Sequence, residues 1–289
     1  MITITLITCV ATLIQSPIFH APSSVVKNEP ILLIRCDDLG LCHSVNEACR
    51  QLIETGIPIS ASVIVNAPEF KEAADLLRQH PGIPVGVHLT LNAEWANVRW
   101  GPVLDPASVP TLVDSSGSFF PTRERFFLNN PNIQDIEKEL DAQIQKAQDA
   151  GLHLEYLDYH MSTAVSTPQL IFLVRRLAKK HTLALSGFYN EISFHYYSDP
   201  PDQKEKRLIE RIGRFEPGNV YMLIAHIGLA TNEMKSFVDV NSIGVENIGI
   251  HRQAELNALR SHAFRSVIEA KGVRILTYHE MVIERGVLN

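Results

Sequence analysis

The chain has 289 residues, a formal net charge of −6 at pH 7, 45% hydrophobic residues and 20% charged residues. This balance is typical of a globular protein with a substantial core, and it argues against disordered, fibrous and membrane-spanning classes. The acidic net charge and the lack of a basic cluster exclude an electrostatic footprint for nucleic acid.

The first 27 residues differ in composition from the rest. Residues 1–14 are apolar and uncharged, and polar sequence containing proline follows through Pro30. The apolar run is too short to span a bilayer but suits a signal peptide, so we expect residues 1–27 to direct export to the periplasm or the medium. No Lys or Arg precedes the run, and residues 19–21 make a poor cleavage site. The alternative is a disordered leader on a cytoplasmic protein.

From residue 28 to residue 289 the pattern predicts a single α/β-barrel domain. Short apolar runs predict seven strands, at residues 31–36, 58–65, 84–91, 154–160, 183–187, 220–226 and 273–278. Helical periodicity predicts six helices, at about residues 44–55, 69–80, 133–150, 167–180, 203–213 and 251–270. This alternation is typical of a parallel sheet wrapped by helices, and it predicts a distorted or incomplete (β/α) barrel of about seven parallel strands.

Two long connections interrupt the alternation. Residues 92–131 are rich in aromatic residues, Pro and Gly, and they follow the third predicted strand. A connection of this length in a compact domain predicts a lid or small insertion over the same end of the barrel. Its aromatic side chains, Trp95 and Trp100 among them, would stack on a sugar ring or pack the segment onto the barrel. Residues 227–250 form the second long connection.

Acidic and histidine side chains stand where predicted strands end. The adjacent carboxylates of Asp37 and Asp38 follow the first strand, His88 ends the third, and His160 ends the fourth. Ligands bind at the carboxyl ends of strands in α/β folds. One carboxylate can bind a metal while the other stays free as a base, and Asp38, His88 and His160 form a three-ligand set with room for water and substrate. The alternative for the Asp pair is a helix N-cap, although the helix begins about six residues later.

Four further residues are candidates at the same end. His226 ends the sixth strand and could protonate a leaving amine, or simply cap the barrel. Asp158, on the same strand face as His160, could orient a ligand histidine or line the site. Asn66 and Arg252 are predicted substrate contacts near the rim. No Gly-x-Ser-x-Gly elbow, P-loop or Gly-x-Gly-x-x-Gly follows a strand, so acyl-enzyme, nucleotide and dinucleotide chemistry lack support.

Six blocks, in order, resemble the YdjC-like carbohydrate deacetylases of the chitooligosaccharide deacetylase type. Residues 34–40 resemble the family motif Asn-Ala-Asp-Asp-Phe-Gly, and residues 157–160 resemble its Leu-Asp-Ser-His; the other blocks are residues 59–66, 86–91, 225–228 and 252–256. The resemblance runs from about residue 31 to residue 280. It implies a barrel-like fold, one divalent metal ion on Asp38, His88 and His160, Asp37 as general base, and removal of N-acetyl groups from small carbohydrates. Mg²⁺ or Zn²⁺ is the expected ion. Its identity stays open because Asp and His ligands accept several divalent metals.

The chain departs from the family after its second metal histidine. Residues 161–164 are Met-Ser-Thr-Ala where many members have Gln-His-Val-His, and Ile227 replaces a proline. The expected substrate is therefore a small carbohydrate of a divergent subgroup. The alternatives are a metal-dependent esterase or phosphoesterase on the same scaffold, and a catalytically inactive carbohydrate-binding protein. The sequence leaves the oligomeric state open, a homodimer included.

Overall fold

A computed structural model describes residues 28–289, so the predicted signal peptide over residues 1–27 lies outside the described residues. In this part of the chain eight strands pair in parallel in one sheet. They are β1 Ile31–Leu39, β2 Ser60–Val63, β3 Val85–Leu89, β4 Leu154–Tyr159, β5 Ala184–Leu185, β6 Glu191–His195, β7 Val220–Ala225 and β8 Arg274–Leu276.

Helices fill most of the connections between the strands. In chain order they are α1 His43–Ile53, α2 Phe70–Gln79, α3 Arg123–Leu128, α4 Ile133–Asp149, α5 Pro168–His181, α6 Lys204–Gly213, α7 Ile248–Arg260, α8 His262–Lys271 and α9 Tyr278–Arg285. Among these described helices none has the length and apolar character needed to cross a membrane.

The sheet curls around the central strand β1. The strand order is β5-β4-β3-β2-β1-β7-β6, and β8 pairs with the first residues of β1. This arrangement confirms the predicted distorted, incomplete (β/α) barrel. The sheet also contains β6, which the sequence did not predict. Most of its residues are at least partly exposed, so this edge strand lacks the continuous apolar run that marks the others.

The barrel interior and the helix-facing side of the sheet alternate along β1. Ile31 and Leu33 belong to an interior cluster, whereas Leu32 and Ile34 pack in the larger core under the helices. The bottom of the interior is closed by aromatic packing, because Tyr278 at the start of α9 stacks on Tyr156 with ring centroids 4.1 Å apart. Period-two alternation therefore assigns the odd-numbered residues from Ile31 to Asp37 to the interior.

The predicted insertion over residues 92–131 packs onto the barrel. It contains two short 3₁₀ helices, Pro106–Ser108 and Pro110–Leu112, followed by α3. The amide nitrogen of Asn66 donates to Gly101 O at 2.9 Å and to Glu139 Oε1 at 3.1 Å. Its Oδ1 is buried without a hydrogen-bond partner, and the substrate contact of Asn66 stays a prediction. Glu139 also accepts main-chain N–H groups of the insertion. Asn66 therefore ties the insertion to α4.

Trp95 packs the insertion onto the barrel and does not present its ring for stacking on a sugar. Its side chain is 1% exposed and lies edge-on to Phe237, with ring centroids 5.3 Å apart, and the guanidinium of Arg252 lies 5.9 Å from its ring centroid. The flanking backbone pairs with the second long connection, since Ala96 N donates to Val238 O at 2.9 Å. A ring enclosed in this way offers no open face to a sugar.

Candidate active site

A bulge in β1 brings both adjacent carboxylates to one site. Strand alternation directs Asp37 to the interior and would direct Asp38 to the helices. Cys36 pairs with Ala61 and Leu39 pairs with Val63, so β1 advances by three residues where β2 advances by two. Asp38, within this bulge, has a φ of +67°. An inserted residue of this kind re-aims a side chain. The turn therefore lies at Asp38 itself, one residue before the predicted Leu39-Gly40.

Asp38, His88 and His160 meet as predicted. Asp38 Oδ1 lies 3.5 Å from His88 Nε2 and 3.2 Å from His160 Nδ1, and candidate ligand atoms of the three lie within 4.8 Å of one another. All three side chains are buried, yet Asp38 Oδ1 makes no hydrogen bond of acceptable geometry. A buried carboxylate oxygen without a hydrogen bond is costly. Together with the two histidine nitrogens that lie next to it, this oxygen makes a donor set that fits a divalent cation.

A second carboxylate orients each imidazole. His88 Nδ1 lies 3.0 Å from Asp158 Oδ2, and His160 Nε2 lies 2.8 Å from Glu94 Oε2. A carboxylate on the far nitrogen of a metal-binding histidine fixes its tautomer and ring orientation. Asp158 thus has the orienting role that the sequence left as one alternative to substrate contact. Sequence reasoning missed Glu94, because no local pattern separates it from other residues of the insertion.

These carboxylates determine the protonation of the two imidazoles. Burial alone would lower the pKa of His88, but Asp158 and Asp37 outweigh it and raise that pKa to about 9. Burial is likewise outweighed at His160, where Glu94 and Asp38 raise the pKa to about 10. Without a metal ion both rings are therefore protonated on both nitrogens, and positively charged, at neutral pH. A metal ion would have to displace those protons, because it binds the neutral imidazole.

Asp37 is buried and ion-paired rather than free. Arg35, which sequence reasoning missed, donates from Nε and Nη2 to the two Asp37 oxygens at 2.7 Å each. Its Nε also lies 2.8 Å from Asp158 Oδ2. Burial raises the pKa of Asp37, with Arg35 opposing that shift. Asp37, His88 and Asp158 form a second candidate metal cluster, but the Arg35 guanidinium already supplies positive charge between its carboxylates.

Arg252 and Trp100 complete the surroundings of the ligands. Arg252 is buried, and its Nη2 donates to Asp38 Oδ2 at 2.5 Å, while its Nε and Nη1 have no partner. The pKa of Asp38 lies well below its usual value because Arg252 and the two histidines outweigh burial. The Trp100 ring centroid lies 6.1 Å from that of His160. Arg252 therefore holds a candidate ligand and keeps two nitrogens, Nε and Nη1, without acceptors.

His226 lies one residue beyond the end of β7. Its ring packs edge-on against Tyr197, with centroids 5.4 Å apart, and its Nδ1 is buried without a partner. Burial lowers its pKa to about 3, so the imidazole is neutral at physiological pH. Its main-chain N–H donates to Glu255 Oε2 at 2.7 Å.

The segment that departs from the family pattern is held from the insertion. Met161 and Ser162 have φ of 48° and 59°, in the left-handed region. Asn92 anchors both sides of this turn, because its Nδ2 donates to Met161 Sδ at 3.0 Å and its Oδ1 accepts from Thr163 Oγ1 at 2.7 Å. Unusual backbone directly after a candidate ligand such as His160 is the kind of strain that functional sites retain.

Several known proteins are similar to this chain in sequence or in fold. The model of the family described as YdjC-like protein matches residues 31–270. A carbohydrate deacetylase from Enterococcus faecalis is 24% identical over 265 residues, covering 87% of this chain and 98% of that protein. One from Halalkalibacterium halodurans is 31% identical over 196 residues, covering 64% and 79%. A crystal structure of an Enterococcus faecalis protein, named as a candidate for cellobiose-phosphate cleavage, shares the fold with a TM-score of 0.72 at 21% identity, covering 88% and 99%.

Proposed function

Because this chain belongs to the YdjC-like protein family, we propose that it is a metal-dependent hydrolase that removes N-acetyl groups from small carbohydrates. The observation that carries the proposal is the buried Oδ1 of Asp38, which has no hydrogen-bond partner and lies between His88 Nε2 and His160 Nδ1. Relatives named carbohydrate deacetylases support the substrate class. They are also the reason to prefer removal of acetyl groups over hydrolysis of phosphate esters by the same donor set.

Asp38, His88 and His160 would hold the cation, and their oxygen and nitrogen donors suit Zn²⁺ or Mg²⁺. A divalent cation bound there would polarise the amide carbonyl and lower the pKa of water from 15.7 towards about 7. Burial of the three side chains excludes bulk water, which strengthens electrostatic interactions within the site.

Asp37 is the proposed general base. Its Oδ2 lies 3.9 Å from His88 Nε2, beside the ligand set. Arg35 uses part of the carboxylate's accepting capacity, and a carboxylate has about four lone-pair sites, so Asp37 can still accept a proton from water. Its raised pKa makes it a stronger base than a solvated carboxylate. The Arg35 fork would keep that carboxylate in place.

His226 is the proposed general acid for the leaving amine. Its lowered pKa keeps the resting imidazole neutral, so its acidic proton would have to come from the attacking water by way of Asp37. The imidazolium formed in this way would be a strong proton donor to the leaving amine. The unpartnered N–H groups of Arg252 would bind acceptor oxygens of the substrate. Trp100 lies next to His160 and is 4% exposed, and its contact with the sugar stays a prediction.

His160→Ala tests the ligand assignment. We expect the variant to lose bound metal and to release no acetate from N-acetylglucosamine oligomers. His279→Ala is the matched control, because His279 also pairs with a carboxylate, Glu155, but its side chain is 56% exposed. Metal content and acetate release should be unchanged in the control. Full metal content and full activity in His160→Ala would refute the assignment.

The same assay separates the alternative functions. Release of phosphate, or of acetate from esters only, would identify an esterase or phosphoesterase. Tight sugar binding at saturating metal without release of any product would identify a binding protein. For residues 1–27 we propose export, which signal processing of the full chain in a bacterial host would test.

A further inference from the structure

The end of β7 is held by a buried side chain as well as by the sheet. The main-chain N–H of His226, just past Ala225 at the end of the strand, donates to Glu255 Oε2 at 2.7 Å. Glu255 lies on α7, and its side chain is 1% exposed. A carboxylate acceptor makes this hydrogen bond charge-assisted, and burial protects it from solvent. The backbone of His226 is therefore fixed from the helix layer.

A buried lysine connects Glu255 to the ring neighbour of His226. Lys204, at the start of α6, is completely buried and its Nζ donates to Glu255 Oε1 at 3.0 Å. The same ammonium donates to the carbonyl oxygens of Tyr196 at 2.5 Å and Tyr197 at 2.8 Å. These three bonds use all three of its donors. Lys204 thus contacts both groups that define the surroundings of His226, namely the carboxylate on its N–H and the peptide of the tyrosine on its ring.

The burial of this ion pair is weak evidence for a stabilising role. A fully buried ion pair is often no more stabilising than apolar side chains of similar volume, because desolvation offsets the attraction between the charges. The geometry has a different consequence. Arg252, three residues before Glu255 on α7, binds Asp38, so one face of this helix holds a candidate metal ligand and His226 together.

We propose that the Lys204–Glu255 pair is a positioning unit that fixes His226 relative to the metal-ligand set. The proposal rests on the catalytic role proposed for His226. Neither Lys204 nor Glu255 needs to contact the substrate. Their effect passes through the hydrogen bond that Glu255 accepts from the main-chain N–H of His226, while Lys204 balances the buried charge of Glu255.

Two double variants isolate the positioning contact. Lys204→Met/Glu255→Gln and Lys204→Met/Glu255→Leu both remove the two charges, but only the glutamine retains an acceptor for the His226 N–H. We expect kcat to stay within about threefold of wild type in the Gln variant. In the Leu variant we expect kcat to fall by up to about 10²-fold, because small displacements of a catalytic group are costly. KM and bound metal should be similar in both.

Equal kcat values in the two variants, or an effect on KM or metal content alone, would overturn the proposal. If the Leu variant does not fold, Glu255→Asp takes its place, because it keeps the charge but its shorter side chain cannot reach both Lys204 and the His226 N–H. We expect a lower kcat at unchanged KM, and wild-type kcat in folded Glu255→Asp would overturn the proposal.

A spectroscopic readout keeps this test separate from the proposed function. If the wild-type protein releases no acetate at saturating metal, the proposed function fails by itself. The position of His226 can still be read from its imidazole resonances in histidine-labelled protein. We expect a wild-type spectrum in the Gln variant and a shifted or broadened one in the Leu variant. Identical His226 resonances in the two variants would contradict positioning.

Discussion

Glu94→Gln removes the charge that orients His160 while nearly preserving side-chain size. The wild-type carboxylate lies 2.8 Å from His160 Nε2 and is 3% exposed, so solvent screens the contact little. Removing a carboxylate partner of a metal-binding histidine typically weakens metal affinity 10- to 100-fold, or about 1.4 to 2.7 kcal/mol. We expect a loss of this size at alkaline pH, where His160 is deprotonated in both proteins.

The same substitution should change how metal affinity depends on pH. The pKa values of His88 and His160, raised to about 9 and about 10, mean that a cation must displace two protons at neutral pH. Wild-type affinity should therefore fall as pH falls below about 9, with log K changing by about two per pH unit. Glu94 is the largest contribution that raises the pKa of His160. Without it that pKa decreases, so proton release should fall from two towards one, and the affinity loss should shrink near pH 7.

Titration calorimetry in buffers of different ionisation enthalpy measures both the metal affinity and the number of protons released. Glu155→Gln is the matched control, because Glu155 pairs with His279 at 3.0 Å outside the candidate site. We expect wild-type values for the control. Unchanged affinity and unchanged proton release in Glu94→Gln would refute the orienting role of Glu94, and so would an equal effect of Glu155→Gln.

Two further predictions concern the packing that supports the site. A Cβ added at Gly86 would overlap the Tyr156 ring, so Gly86→Ala should lower the free energy of unfolding in urea by about 1–3 kcal/mol. The control is Gly82→Ala, whose Cβ would meet nothing within 4 Å and which should change stability by less than about 0.5 kcal/mol. Equal effects of the two substitutions would contradict this packing. Arg35→Met leaves the buried Asp37 without its cation and should cost about 3–5 kcal/mol at pH 7. Because protonation relieves an unpaired carboxylate, the cost should be smaller at pH 5, and an equal cost at both values would contradict the reasoning.

The candidate ligands could be predicted because their signal is local. Asp38, His88 and His160 each end an apolar run, and parallel strands bring their carboxyl ends to one edge. Buried strands were recognised by the same runs. β6 was missed because an exposed edge strand needs no such run. The substrate contact predicted for Asn66 rested on proximity to a strand end and stays a prediction. The structure adds that its amide nitrogen has acceptors in the insertion and α4.

The partners of those ligands depend on contacts that no local pattern records. Glu94 is 66 residues from His160 along the chain, and Arg252 is 214 residues from Asp38. Whether a carboxylate is free, paired with a guanidinium or bound to an imidazole depends on which loop or helix folds against it. Arg35 illustrates this, since its neighbours in sequence predict a buried strand and say nothing of the carboxylates that it joins.

The order of the buried strands and the residue types of the candidate site follow from the amino-acid sequence alone, because periodicity and strand-end position act over a few residues. The surroundings of each charged group were decided only by the tertiary structure. Burial removes water from Asp37, Asp38 and the histidines, and in that environment the partners supplied by distant segments determine charge and orientation.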